Sequence, residues 1–390
     1  MISKQIKVLH IITQLDLGGA QRNALDIVRH LDKQTYLVYL LSSLKGPLIK
    51  EALDIPGVKT ILLPSLRRPL HPFADIISLI RLVSIFKNEK IDIVHTHSSK
   101  AGILGRWAAR YAGVPVIIHT IHGWSFHQRQ HFLIRNFYTF LERITARITD
   151  SLIAVSASDI RKGLTNKIAS KDKYTLIRYA IDRAAFFNCS VDRLRKKEEL
   201  GFEKESPLIG MVACLKPQKS PQDFVKAAAL VIEKNPQARF LLVGEGVLRN
   251  DVQRLIARLG IAEQVILGGW RRDIPEIMSC LDILALTSLW EGTPLVFLEA
   301  MCSKLPVIAY NVDGVSEMIQ DGVNGYLVPL GETHTVASRI NHLLENKSIR
   351  TKMGAEGFAL VSRECCAIER MMQEVEHLYR SITAKKSKTG

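Results

Sequence analysis

Short apolar runs alternate with amphipathic helical stretches along this chain, and the alternation happens twice. In the first half the runs are Ile6–Thr13, Tyr36–Leu41, Thr60–Leu63, Ile91–His95, Val116–His119 and Leu152–Val155. Between them Ala20, Ala24, Ile27, Val28 and Leu31 recur at helical spacing, and Ile76, Ile77, Ile80, Val83 and Ile85 do so more loosely. The charged stretch 190–206 interrupts the pattern. It resumes at Leu208–Val212, Phe240–Val243, Val265–Leu267, Ile283–Leu286, Val307–Ala309 and Tyr326–Val328. Strands that are apolar on both faces must be covered on both faces, and strict strand–helix alternation supplies that cover in a doubly wound parallel sheet. The expectation is an α/β protein with Rossmann-like domains over residues 1–184 and 207–363, joined by a linker at 185–206. Ile368, Met371, Met372, Val375, Leu378, Tyr379 and Ile382 form the apolar stripe of a final helix spanning 364–384, and 385–390 is expected to be a disordered tail.

The 390 residues suit two domains, and an apolar fraction of 47% is enough for two cores. Six cysteines show no Cys-x2-Cys pair, and Cys365 and Cys366 are adjacent, which suits neither zinc nor an ordinary disulfide. A reducing, cytoplasmic compartment follows as an expectation. The first residues enter a strand at once without an apolar signal core, and no run is long enough to span a bilayer. Charge is lopsided. Residues 1–184 hold 27 Lys and Arg against 13 Asp and Glu, whereas the remainder holds 26 against 25. A basic half beside a neutral half predicts an anionic surface as partner of the first.

The densest chemistry lies in Leu-Trp-Glu-Gly-Thr-Pro-Leu-Val-Phe-Leu-Glu-Ala-Met, residues 289–301. Ile283–Leu286 reads as a buried strand. Thr293 is positioned to cap a helix beginning at Pro294. Glu291 then lies on the loop and Glu299 within the helix, with the positive helix end between them, a ready site for a diphosphate. Carboxylates flanking an anion have hydroxyl groups as natural partners, a ribose on one side and a sugar on the other. Two glutamates that merely favour the helix dipole are the plainer alternative.

With Thr-Ser before it, Glu-Ala-Met closing it and Leu-Pro-Val-Ile-Ala after it, the Glu-x7-Glu pattern resembles the donor signature of GT4-type retaining glycosyltransferases. The resemblance extends from about residue 6 to about residue 380. It implies the GT-B fold, two facing Rossmann-like domains with a cleft between them and a C-terminal helix crossing back to the first. The implied reaction moves a sugar from a nucleoside diphosphate, uridine favoured, to a lipid-linked or glycan acceptor in polysaccharide biosynthesis. It also implies Glu299 on the ribose, the Leu295 and Val296 amides near the diphosphate, and Gly18 and Gly19 beside donor and acceptor. Glu291 and His122 would grip the transferred sugar, and Lys219 would neutralise the leaving diphosphate. The family carries an Arg about five residues before that Lys, where this chain has Cys214; Lys216 is a candidate substitute.

Other signals are weaker. Gly18-Gly19 opens the first helix but is no Gly-x-Gly-x-x-Gly fingerprint, so a dinucleotide cofactor is not expected. His95, His97, His119, His122, His127 and His131 suggest a metal, yet no ordered carboxylate or Cys joins them, and the chain lacks Asp-x-Asp. No metal or other cofactor is expected. Trp270 either borders the nucleotide base or packs in the core, and Asp313–Glu317 reads as cleft-lining or as a plain helix cap. The segment 129–149 mixes aromatics with Arg129, Arg135, Arg143 and Arg147. It is either a core helix with a basic face or an element that rests on an anionic bilayer through Arg129, Phe132, Arg135, Phe137 and Arg143. The second reading predicts a peripheral protein at the inner face of the plasma membrane. No nucleic-acid motif accompanies the charge. A nucleotide-sugar epimerase, a sugar phosphorylase or a catalytically silent glycan-binding relative are the alternatives on this architecture.

Overall fold

The computed structural model describes residues 5–363 and 366–389, and the side chains through 386 in the final helix. The chain forms two compact units, one of residues 1–179 with 369–390 and one of residues 180–368.

Unit 1 is built on β1 (Ile6–Ile11), β2 (Tyr36–Ser42), β3 (Val58–Leu62), β4 (Ile93–His97), β5 (Val116–Ile121), β6 (Ser151–Ala154) and β7 (Tyr174–Leu176). All pair in parallel, in the order β3-β2-β1-β4-β5-β6-β7. The connecting helices are α1 (Gly19–His30), α2 (Ile49–Leu53), α3 (Pro72–Glu89), α4 (Ser99–Ala112), α5 (Phe132–Arg147) and α6 (Ala157–Thr165). One sheet face presents Leu9, Ile11, Tyr39, Leu41 and Val94 to Leu82 and Phe86 of α3 and Ala101 and Ala108 of α4. Val83 and Ile85 of α3 also pack partly on that core, but Ile76, Ile77 and Ile80 point to solvent. β7, beyond the six expected strands, is three residues long and half buried, and no apolar run marks it.

Unit 2 holds helices α7 (Ala184–Phe187) and α8 (Arg193–Glu199) before its first strand. Its sheet comprises β8 (Leu208–Val212), β9 (Arg239–Val243), β10 (Val265–Gly269), β11 (Ile283–Leu286), β12 (Val307–Tyr310) and β13 (Gly325–Val328), again wholly parallel, in the order β10-β9-β8-β11-β12-β13. The helices between and after the strands are α9 (Pro221–Lys234), α10 (Arg249–Arg258), α11 (Ile274–Cys280), α12 (Leu295–Cys302), α13 (Thr333–Glu345) and α14 (Lys347–Val361). Every residue of β11 and β12 is buried, as a sheet covered on both faces requires.

Two sequence expectations change. The segment 185–206 is not a free linker: Asp192 caps α8 by accepting from the Leu194 and Arg195 amides, and Lys196 and Lys197 are buried. Lys196 pairs with Asp273 and Glu276, and Arg193 with Asp282, so the charge that suggested a linker is spent on tertiary ion pairs. The final helix α15 (Ile368–Thr389) runs through most of the expected tail, and Lys386 pairs with Asp150 of unit 1. Cys366 carries no disulfide, and Cys365 lies outside the described residues.

Candidate functional site

In a doubly wound sheet, ligands bind beyond the carboxyl ends of the strands where strand order reverses. In unit 2 that point lies between β8 and β11. The loop after β8 carries Lys219 and the loop after β11 carries Glu291, and the two side chains form an ion pair, with Glu291 buried. The loops are also laced by backbone: Leu289 N–H donates to the Gln218 carbonyl at 2.7 Å, and the Gln218 side-chain amide donates to the Trp290 carbonyl at 2.9 Å. Thr287 Oγ1 donates to the Ser220 carbonyl at 2.9 Å. Two residues separated by 72 positions, each proposed from sequence for a different job, are thus one unit.

Helix α12 starts at the same switch point. Pro294, in extended backbone, is its N-cap rather than its first residue, so Thr293 stands one position too early to cap it. The first-turn amides of Leu295 and Val296 have no intrahelical acceptor and point along the positive end of the helix dipole. Glu299 lies one turn further on and is half buried. Asp313 accepts from the Glu291 amide at 3.0 Å, with its backbone held at φ 47°. That contact was hidden because a loop 22 residues away supplies it.

Neighbouring loops complete the edge. Gly244 sits at φ 134°, and a Cβ there would lie 2.0 Å from the Ala213 carbonyl oxygen, so the turn after β9 needs glycine to press against the turn carrying Cys214. Cys214 is half buried in that turn, and its carbonyl accepts from the Lys216 amide at 2.8 Å. Trp270, at the end of β10, is 42% exposed, so packing in the core is not its role.

Unit 1 reverses its strand order between β1 and β4. Gly18 is the N-cap of α1 and Gly19 its first residue, in backbone any residue adopts, so the pair opens the helix without conformational demand. Thr13 Oγ1 lies 2.8 Å from Ser98 Oγ and accepts from the Ala101 amide at 3.1 Å, tying the two loops together.

Beneath this edge runs an internal chain of polar rings that the sequence did not reveal. Thr120 Oγ1 and His95 Nε2 are 2.6 Å apart, and His95 Nδ1 is 2.6 Å from the Tyr379 hydroxyl. Tyr379 contacts His10 Nε2 at 3.2 Å, His10 Nδ1 contacts His97 Nε2 at 3.0 Å, and His97 Nδ1 contacts His122 Nε2 at 2.9 Å. His122 Nδ1 closes the run 2.5 Å from the Tyr179 hydroxyl. A neutral imidazole donates through one nitrogen and accepts through the other, so the whole run can be satisfied with one polarity from end to end. Burial holds His10 and His122 down to about 3 and lowers His95, His97 and His119 well below the usual histidine range. The ring nitrogens of His10, His95 and His97 lie within 4.8 Å of one another, a possible metal trio, but hydrogen bonds to neighbouring rings and hydroxyls already engage them. Both nitrogens of His122 are engaged as well.

Helix α5 is built inside out. Its buried positions are Thr139, Glu142, Thr145 and Ala146, while Phe132, Leu133, Ile134, Phe137 and Phe140 are exposed. Its one acid, Glu142, forms a buried ion pair with Arg106 at 2.8 Å. Arg129 and Arg143 are exposed and Arg135 is half buried.

Residues 17–184 match the family model described as Glycosyltransferase Family 4, and residues 192–359 match Glycosyl transferases group 1. The chain is 34% identical over 369 residues to a UDP-Gal:alpha-D-GlcNAc-diphosphoundecaprenol alpha-1,3-galactosyltransferase of Escherichia coli, covering 92% of this chain and 95% of the relative. It is 31% identical to the putative glycosyltransferase EpsD of Bacillus subtilis, covering 79% and 82%. Among solved structures, Anabaena Alr3699/HepE in complex with UDP and glucose superposes with a TM-score of 0.83 at 21% identity, covering 97% of this chain and 100% of that one, a likeness of fold.

Proposed function

The chain belongs to the GT4-type, group 1 glycosyltransferases, and on that premise we propose that it transfers a hexose, with retention, from a uridine-diphosphate sugar to a lipid-linked sugar acceptor in surface-polysaccharide assembly. The observation that carries the donor side is the Lys219–Glu291 pair set beside the α12 N-terminus at the switch point of the second sheet.

In this reading the resting ion pair keeps the buried Glu291 compensated until substrate arrives. The donor diphosphate then takes the Lys219 ammonium and the Leu295 and Val296 amides, and Glu291 turns its oxygens to sugar hydroxyls. Charge growing on the departing diphosphate is met by donors already in position, the form of stabilisation that contributes most in many enzymes. Glu299 holds the ribose, Thr293 lines the approach to the diphosphate, and Trp270 borders the base. From unit 1, Gly18 and Gly19 let backbone come close to the substrates. His122, held neutral by burial, meets the transferred sugar as a hydrogen-bonding group rather than a cation. The donor phosphate, rather than a side chain, serves as base for the acceptor hydroxyl, and no metal is assigned.

A lipid-diphosphate acceptor is supported by the E. coli relative, an alpha-D-GlcNAc-diphosphoundecaprenol galactosyltransferase. The outward aromatics of α5, with Arg129, Arg135 and Arg143, support a peripheral seat on an anionic membrane, which we assign to the cytoplasmic face of the plasma membrane. No helix among the described residues is long and apolar enough to cross a membrane. The test is a screen of nucleotide sugars for nucleotide release, with and without lipid-linked acceptor. Release dependent on acceptor supports transfer; turnover without acceptor, or only with inorganic phosphate, replaces the reading with an epimerase or a phosphorylase. Glu299→Ala is expected to raise the donor KM about tenfold or more, the loss of hydrogen bonds to a charged group; an unchanged donor affinity removes Glu299 from the ribose.

A further inference from the structure

We propose that α3 is a second lipid-inserting element, so that α3 and α5 together seat unit 1 on an anionic bilayer. The inference rests on the membrane part of the reading above and extends it to a helix that charge and motif did not single out.

Helix α3 carries two apolar stripes. Ala74, Ser78, Leu82 and Phe86 face the core and account for its attachment to the sheet. Phe73, Ile76, Ile77 and Ile80 form another, at the i, i+3, i+4, i+7 spacing of a single helix face, and are 77, 57, 51 and 63% exposed. Leu70, just before the helix, is exposed too. Single exposed apolar residues are ordinary, but a continuous stripe of four on a helix that already has a core face is not.

Topology joins this stripe to α5. Both helices follow strands of one parallel sheet, β3 and β5, so both begin at its carboxyl edge, where Gly18, Gly19 and His122 also lie. Helix α4 packs between them, touching α3 along its length and α5 at Trp107, whose indole N–H donates to Thr145 Oγ1 at 3.1 Å. The two outward faces therefore lie on the same side of the sheet, with their aromatic N-terminal turns at the ligand edge.

Charge selects the occupant. Arg67, Arg68, Arg81, Lys87 and Lys90 are exposed around α3. Its acids are accounted for: Asp75 pairs with Lys100, and Glu89 accepts from the Tyr39 hydroxyl at 2.8 Å. On α5 the one acid is buried against Arg106. A face of exposed apolar side chains rimmed by an excess of cations, although Arg68 pairs with Asp16, complements anionic headgroups over an acyl layer. It opposes its own copy, because a two-fold contact through this patch would bring the same cations together.

The experiment is flotation of the full chain with vesicles of phosphatidylcholine alone or mixed with phosphatidylglycerol. Wild type is expected to float with the anionic vesicles, and Phe73→Glu with Ile77→Glu to lower partitioning by at least about tenfold while leaving the melting temperature unchanged, since both side chains are exposed. Ile80→Trp is expected to gain fluorescence that brominated phosphatidylglycerol quenches. Undiminished binding of the α3 double variant, with release on Phe137→Glu, overturns the inference and leaves the α5 reading intact. Wild type that fails to float removes both. A dimer in sedimentation that the double variant converts to monomer assigns the stripe to a second copy instead.

Discussion

The two sheets of this chain prepare their ligand edges by opposite electrostatic means. Unit 2 works with full charges in pairs: Lys219 with Glu291 at the switch point, and Lys196, Arg271, Asp273 and Glu276 in a network anchoring α8. Unit 1 works with neutral polar rings, the run from Thr120 to Tyr179 through four histidines and Tyr379, under a surface of cations. On the proposed reading, paired charges suit a site that exchanges one partner for a diphosphate. Neutral rings suit an interior where uncompensated charge would be costly.

The largest expected contrast is the response to acid. A histidine with a depressed folded value is fully stabilising above its unfolded value near 6.5 and loses that contribution as pH falls toward the folded one. His10, His95, His97, His119 and His122 all lie in unit 1, so its stability should fall between pH 6.5 and 3 more steeply than the about 1.4 kcal/mol per pH unit of a single group. Asp26, which burial raises to about 6, opposes this because its contribution grows as pH drops from 6 to 3.8, but it is one group against five. In unit 2, burial pushes Asp273 up, yet hydrogen bonds from Arg271 and Lys196 outweigh it and hold it at about 2. Its stabilisation is present above 3.8 and is lost only as pH falls toward 2. Hydrogen exchange at pH 5 should therefore show unit 1 opening before unit 2; the reverse order breaks the comparison.

Next comes the buried ion pair of Arg106 with Glu142 in unit 1. Arg106→Met leaves Glu142 buried without its cation and should cost about 3–5 kcal/mol in denaturant unfolding. Adding Glu142→Leu should recover most of that loss, and failure to recover would mean that packing, not charge, sets the cost. Smallest is Lys219→Ala, expected to lower kcat about tenfold to a hundredfold, the equivalent of a charge-assisted bond of ~1.5–3 kcal/mol. If kcat is unaffected, the pair belongs to the scaffold of the loops rather than to the reaction.

Sequence and structure agree most closely where the information is local. The strand at Ile283–Leu286, the helix after it and the glutamates around its start follow from apolar runs and spacing. Where they diverge, a distant partner intervenes. The stretch 190–206 looked like a linker because its charges sit close in sequence, whereas their partners Asp273, Glu276 and Asp282 come from later loops. His95 and His97 share a strand face at i and i+2, a period visible in the sequence, but the ring that links His95 to His10 belongs to Tyr379, 284 positions from His95. Aromatics on α5 and isoleucines on α3 read equally well as core or surface, since periodicity reports a stripe but not which way it turns.

The sequence by itself determined the class of fold and the residues that follow each strand, because helix capping and apolar periodicity act over a few residues, whereas the strand order and its reversal points come from pairing between distant segments. Only the tertiary structure decided which of those residues meet. It joined Lys219 to Glu291, threaded neutral imidazoles beneath His122 and turned the second stripe of α3 outward. Each of these depends on contacts between chain segments far apart in sequence, whose geometry is fixed by packing of the whole unit.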